Sequence, residues 1–173
     1  MTNYSIIMHE KMFDKIASQY DYDSHMKYFS PHVKSVISKI CHHYGIKSEW
    51  LFIPRRNKEI VMARHVFRYY LKNINKTFLS DTKIGVLTAY VTSDHTTVMN
   101  STKAIINEMR YNDDVKMIIT ELEKIEEDRY VKTEQKFSNI SILIKKSILE
   151  NKIKLTETIP NHGILKLWST QNI

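Results

Sequence analysis

Only three glycines and three prolines punctuate 173 residues. These two residue types supply most sharp reversals of a polypeptide, glycine by reaching positive φ and proline by ending helices. A chain so poor in both is confined to helices joined by short connections. Hydrophobic residues make up 42% of the sequence, enough for a sizeable core and unlike a disordered composition. The length suits one domain, or one domain with appendages.

The apolar spacing agrees with an all-α fold. Ile6, Ile7, Met12, Phe13, Ile16 and Tyr20 recur at near-helical intervals and predict one helix within residues 1–29. Ser30-Pro31 reads as a helix start, with Ser as N-cap and Pro at the first position. Val33, Val36, Ile37, Ile40 and Tyr44 continue it as an apolar stripe, and Gly45 fits a left-handed C-terminal cap. After the turn at Pro54-Arg55-Arg56-Asn57, Asn57 caps a helix over 58–74 with Ile60, Ala63, Phe67, Leu71 and Ile74 inward. Arg64, Arg68 and Lys72 repeat every four residues on another face. Further helices are expected over 79–91, capped by Ser80 or Asp81; over 94–109, with Val98, Thr102, Ile105 and Met109 inward; over 112–129; and over about 133–150. From Leu155 to Trp168 an extended segment or a hairpin is expected.

The formal net charge is +7, which favours an anionic partner. It is unevenly spread: residues 31–76 hold ten Lys/Arg against two Glu, whereas residues 112–129 hold seven Asp/Glu against three Lys/Arg. The basic block suits nucleic acid and the acidic helix suits solvent or a partner. Glu121, Glu123, Glu126 and Glu127 read as a solvated helix face. Cys41 is the only cysteine, so no disulfide framework or cysteine-rich metal site is available. His42 and His43 follow it directly, but neighbours on a helix point about 100° apart and do not converge on one ion. No apolar run has transmembrane length and no signal peptide is evident, so a cytoplasmic location, in a bacterial or an infected host cell, is the expectation. No catalytic Ser-His-Asp or Cys-His arrangement stands out. An enzyme is not expected, nor is a metal or other cofactor.

Two segments carry chemistry. Residues Ser93-Asp94-His95-Thr96-Thr97-Val98 open the 94–109 helix. Short hydrogen-bonding side chains on the first turn are what a helix-turn-helix protein presents to base edges. A threonine hydroxyl donates or accepts there, and its methyl packs on the thymine methyl; an aspartate accepts from the cytosine amino group. About thirty residues upstream lies a basic turn and helix, Arg55-Arg56-Asn57-Lys58 through Arg64-His65. Its charge suits DNA phosphates, and the Arg64/Arg68/Lys72 row reads as part of that phosphate-facing surface. Taken alone, the Ser-Asp-His-Thr-Thr segment reads more readily as an ordinary helix start with surface threonines; the basic helix upstream reverses that preference.

Together the two segments resemble the C-terminal DNA-binding domain, domain IV, of the bacterial replication initiator DnaA. That family's signature is a basic loop, an Ala-Arg-Gln-like helix and then Asp-His-Ser/Thr-Thr-Val. The resemblance covers roughly residues 31–128. It implies a helical domain IV-like, Trp-repressor-like helix-turn-helix with added N- and C-terminal helices, bounded at 1–30, 31–129 and 130–173. It implies double-stranded DNA as the partner, with Asp94, His95, Thr96 and Thr97 on bases, Arg56 in the minor groove and Arg64 on phosphate. Arg55, Lys58, His65, Ser93 and Lys103 complete the candidate DNA-binding set, Lys103 as a further phosphate contact.

The sequence departs from the family in four ways. Lys83-Ile84-Gly85 resembles the family's Ile-Gly in the first helix but lies two residues further from the signature than expected. His65 stands in place of the usual glutamine. Val91-Thr92-Ser93 replaces a glycine-rich turn with a basic residue before the aspartate. No Gly-x-x-x-x-Gly-Lys-Ser/Thr loop is present, and 30 residues before the matching region are too few for the family's ATPase module. ATP is therefore not an expected partner. The resemblance implies a short, asymmetric A·T-rich site of the DnaA-box kind. Compatible roles are marking the replication origin of a phage or mobile element, competing with a host initiator, and regulating transcription. A protein-interaction module that has lost DNA binding stands as the rival. The region after about residue 130 suits self-association, contact with a replication protein, or equally a cover over the exposed apolar side of a truncated module.

Overall fold

The computed structural model describes residues 3–76, 79–90 and 94–158, with side chains over 10–76, 79–90 and 94–150. The described residues form helices and connecting turns, without strands: α1 (Asn3–Ala17), α2 (Tyr22–Met26), α3 (Pro31–His43), a 3₁₀ turn (Ser48–Phe52), α4 (Lys58–Tyr69) with a π turn at its end (Tyr70–Ile74), α5 (Asp81–Leu87), α6 (His95–Glu108) and α7 (Asp113–Thr158). They fall into two units, Met1–Glu126 and Glu127–Ile173.

Local chemistry sets most boundaries in the first unit. The Ser30 hydroxyl accepts from the Val33 amide and Pro31 occupies the first turn of α3. At the other end Gly45 has φ +62°, the Gly45 amide donates to the His42 carbonyl and the Ile46 amide to the Cys41 carbonyl. That is a Schellman stop, and it needs the left-handed residue. Asn57 caps α4, Ser80 caps α5 and Asp94 caps α6.

Several elements differ from the sequence expectations. The single helix expected in residues 1–29 is two helices, because Asp21 accepts from the Ser24 amide and starts α2 afresh. The helix expected over 58–74 changes type: the Asn75 amide reaches back five residues to the Tyr70 carbonyl, which widens its last turn. The separate helices expected over 112–129 and 133–150 are one helix, α7, which continues through Leu155 to Thr158. The rest of the expected extended segment or hairpin lies outside the described residues.

The core of the first unit joins Val36, Ile37 and Ile40 of α3 to Phe67 of α4, Ile84 of α5, Ile105 of α6 and Ile118 and Leu122 of α7. A smaller cluster seats α1 on the 3₁₀ turn through Phe13 and Trp50, whose rings meet edge-on at 5.1 Å. Asp14 ties the same contact by accepting from Trp50 Nε1 at 2.9 Å and from Lys47 Nζ at 2.7 Å.

Glu126 belongs to this packed unit and not to a solvated face. It is 2% exposed, and its Oε1 lies 2.6 Å from His32 Nε2 and accepts from Asn75 Nδ2 at 3.0 Å and from the Tyr70 hydroxyl. Burial pushes its carboxyl up, but the hydrogen bonds from Tyr70, His32 and Asn75 outweigh this and hold it below the usual glutamate value. The four residues come from α3, the π turn, the residue after it and α7. They fix the start of α7 against the helices that carry the candidate site.

Among the described residues no helix is long and apolar enough to cross a membrane.

Candidate nucleic-acid interface

Helix α6 is the centre of the site. Asp94 stands at its N-cap in an extended conformation, and one carboxylate oxygen accepts from the Thr97 amide at 2.9 Å and from the Thr97 hydroxyl at 3.1 Å. Hydrogen bonds from Thr96 and Thr97 hold its carboxyl below the usual aspartate value. His95 and Thr96 are exposed, Thr97 is half-buried and Val98 is fully buried. Thr97 has thus given its hydroxyl proton to Asp94. Toward an outside group it keeps an acceptor oxygen and a methyl. Lys103 is exposed two turns further along α6. Ser93 and the rest of the Val91-Thr92-Ser93 turn lie outside the described residues.

The second part is the turn before α4. Arg55, Arg56 and Lys58 are all exposed. Their charge crowds the N-terminal end of α4, where the helix dipole is already positive. Like charges so placed repel one another and the helix end; an anion would reverse that.

Helix α4 connects the two parts. Arg64 is half-buried, and its Nη2 donates to the Arg55 carbonyl. One turn on, the buried Arg68 donates from Nε to the Thr88 hydroxyl at 2.8 Å and from Nη1 to the Ser101 hydroxyl at 3.3 Å. His65 Nδ1 lies 2.9 Å from the same Ser101 oxygen. Ser101 in turn donates to the Thr97 carbonyl at 2.8 Å. A hydroxyl has one proton, so with that proton on Thr97 the Ser101 oxygen must accept from both Arg68 and His65. His65 therefore carries its proton on Nδ1, leaving Nε2 as the acceptor. Burial, Arg68 and Arg64 all lower the His65 pKa, so it is neutral at pH 7.

This corrects the reading of Arg64, Arg68 and Lys72 as one phosphate-facing row. Arg68 is 5% exposed and turned inward to two hydroxyls. Lys72 lies in the π turn and pairs with Asp81 at 2.6 Å. Only Arg64 of the three is left without a side-chain partner facing it from the described residues. Burial and the neighbouring Arg68 pull the Arg64 guanidinium down to about 10, still protonated at neutral pH. Neither arginine has a carboxylate partner among the described residues. Two adjacent guanidinium groups without an anion are electrostatically unsatisfied, and Arg64, the more exposed, keeps N–H donors to offer one.

Ser101 and Thr88 were not singled out from the sequence. The signal for Ser101 was its place between Val98 and Ile105 on the inward face of α6; for Thr88 there was none beyond its position after α5. The adjacent Cys41, His42 and His43 diverge: Cys41 is buried in the core, His42 is exposed and His43 lies 3.1 Å from Asp114.

In comparison with known families, residues 33–105 fit the family model described as bacterial dnaA protein helix-turn-helix. The matched span opens in α3 and closes at Ile105 of α6, so it contains the basic turn, α4, α5 and the capped start of α6. The comparison with curated proteins found no match.

Proposed function

We propose, for a chain whose residues 33–105 match the model of the bacterial DnaA helix-turn-helix family, that it recognises a specific duplex sequence of the A·T-rich DnaA-box kind. Helix α6 enters the major groove by its first turn. His95, Thr96 and the Thr97 methyl meet base edges, and Asp94 accepts from a cytosine amino group with the carboxylate oxygen that the cap leaves over. Arg56 reaches the adjacent minor groove. Arg55, Lys58, Arg64 and Lys103 hold phosphates, and Ser93 completes the proposed contact set. His65 acts from behind α6, keeping it in register with α4 through Ser101, and its Nε2 can accept from outside.

One observation carries the reading. The basic turn and the first turn of α6 are about forty residues apart in sequence, yet the hydrogen bonds of Arg64 with Arg55, of His65 with Ser101 and of Ser101 with Thr97 hold both to α4. A phosphate clamp and a reading head must keep a fixed spacing to work on one duplex, and α4 supplies that spacing. The biological setting we infer is replication initiation or its regulation, on a chromosome, phage or mobile element, with transcriptional regulation as the alternative use of the same module.

The test is fluorescence anisotropy with a labelled DnaA-box duplex and a scrambled duplex across a salt series. A preference for the box that survives at physiological salt, with a log–log slope of several phosphates at about 0.9 each, is the expected result. Equal and steeply salt-dependent binding of both duplexes would reject sequence recognition. Binding of neither would leave an interaction module on a DNA-binding fold.

A further inference from the structure

The second unit holds the later part of α7, where Val131, Ile142, Leu143 and Leu149 are exposed at other angles and a larger apolar group shares one side of the helix. Tyr130, Phe137, Ile140, Ile144 and Ile148 are between 41% and 68% exposed. At 3.6 residues per turn they fall within an arc of about 80° on one side of the helix. A helix in water buries such a stripe against something.

The charges bordering the stripe say what. Along one edge lie Glu127 and Glu134, followed in the next turns by Lys145. Along the other lie Lys132 and Lys136, followed by Glu150. Each edge changes sign along its length, and the two edges change in opposite senses. A partner of uniform charge would be repelled along part of each edge. A second copy of the same helix is complementary along both, whether it runs parallel, with the acidic start of one edge beside the basic start of the other, or antiparallel, with each acidic start beside its own basic continuation.

We propose that the stripe from Tyr130 to Ile148 is a homodimerisation seam, and that its occupant is the same stripe of a second copy of this chain. The proposal does not depend on what the first unit binds. It would bring two DnaA-type domains into one particle and let two sites on DNA be engaged together.

Sedimentation velocity of the full chain, from about 1 to 100 µM, tests it. The expected result is a concentration-dependent monomer–dimer equilibrium. Ile144→Glu should weaken it by at least about tenfold. Glu134→Lys should weaken it several-fold at low salt and less at high salt, because it turns an attractive edge repulsive. Circular dichroism of both variants checks that helix content is kept. A wild-type chain that stays monomeric over the whole range, or a dimer indifferent to both substitutions, would overturn the proposal.

Discussion

Arg68 Nε donates to the Thr88 hydroxyl at 2.8 Å and so joins the last turn of α4 to the residue that ends α5. Thr88 passes its own proton to the Gly85 carbonyl. Both hydroxyls that receive Arg68 therefore keep their own donor bonds without it. What Arg68 adds is packing and a buried positive charge with no carboxylate partner among the described residues. Arg68→Met should accordingly leave stability within about 1 kcal/mol of wild type or raise it, because the aliphatic stem is kept and the desolvated charge is removed. Arg68→Ala should cost about 2–4 kcal/mol through the cavity it leaves. Urea denaturation separates the two. On the proposed reading neither variant moves the salt slope of duplex binding, whereas Arg64→Ala flattens it by about 0.9 and weakens box and scrambled duplexes alike.

Asp94 is both a cap and a proposed base contact, and two substitutions part these roles. Asparagine caps helices as well as aspartate does and alanine does not. Asp94→Asn should keep the melting temperature and alter discrimination between duplexes that differ at one C·G pair. Asp94→Ala should lower both. Paired melting and anisotropy measurements are required; a common loss of stability in Asn and Ala variants would show that the charge, not the cap, holds the helix start.

His65 predicts a pH dependence of known sign. Its folded pKa lies below the unfolded value of about 6.5, chiefly through burial and then through Arg68 and Arg64. The folded state binds this proton less readily than the unfolded chain does. The stability of the wild type is thus undiminished above about pH 6.5 and declines as the pH drops below it. His65→Gln can still donate to Ser101 and does not titrate. Denaturation curves at pH 7.5 and 5.5 should show a smaller acid loss for the variant than for the wild type.

Glu126 behaves in the opposite sense. Its folded pKa is lowered, so its contribution is present above the unfolded glutamate value of about 4.3 and is lost as the pH falls through the folded value. Glu126→Ala should cost about 2–4 kcal/mol at pH 7, since His32, Tyr70 and Asn75 lose a shared acceptor. Glu126→Gln keeps an acceptor oxygen and should cost less. The gap between wild type and Glu126→Gln should narrow below about pH 4.

What the sequence revealed was set by local chemistry. Ser30-Pro31, Asn57 and Asp94 announce their helices because a cap is made within three residues. The apolar stripes of α3, α4 and the first turns of α7 were readable for the same reason: one periodicity decides them. The Arg64/Arg68/Lys72 row misled because four-residue spacing marks a face only while the helix remains α. The π turn at Tyr70–Ile74 breaks that register, and Lys72 leaves the row for Asp81. Arg68 turned inward for partners 20 and 33 residues away, and Glu126 for partners 51 to 94 residues away. No neighbouring residue signals such bonds. In the candidate site the residue types could be read, but the hydrogen bonds that seat α6 on α4 could not.

The double hold of Asp94 on Thr97, through amide and hydroxyl, has a calorimetric consequence. The first turn of α6 is ordered before any duplex arrives, so this turn adds no folding step to association. Titration of a duplex should show the modest heat-capacity change of two preformed surfaces meeting, without the large negative value that marks a segment folding as it binds.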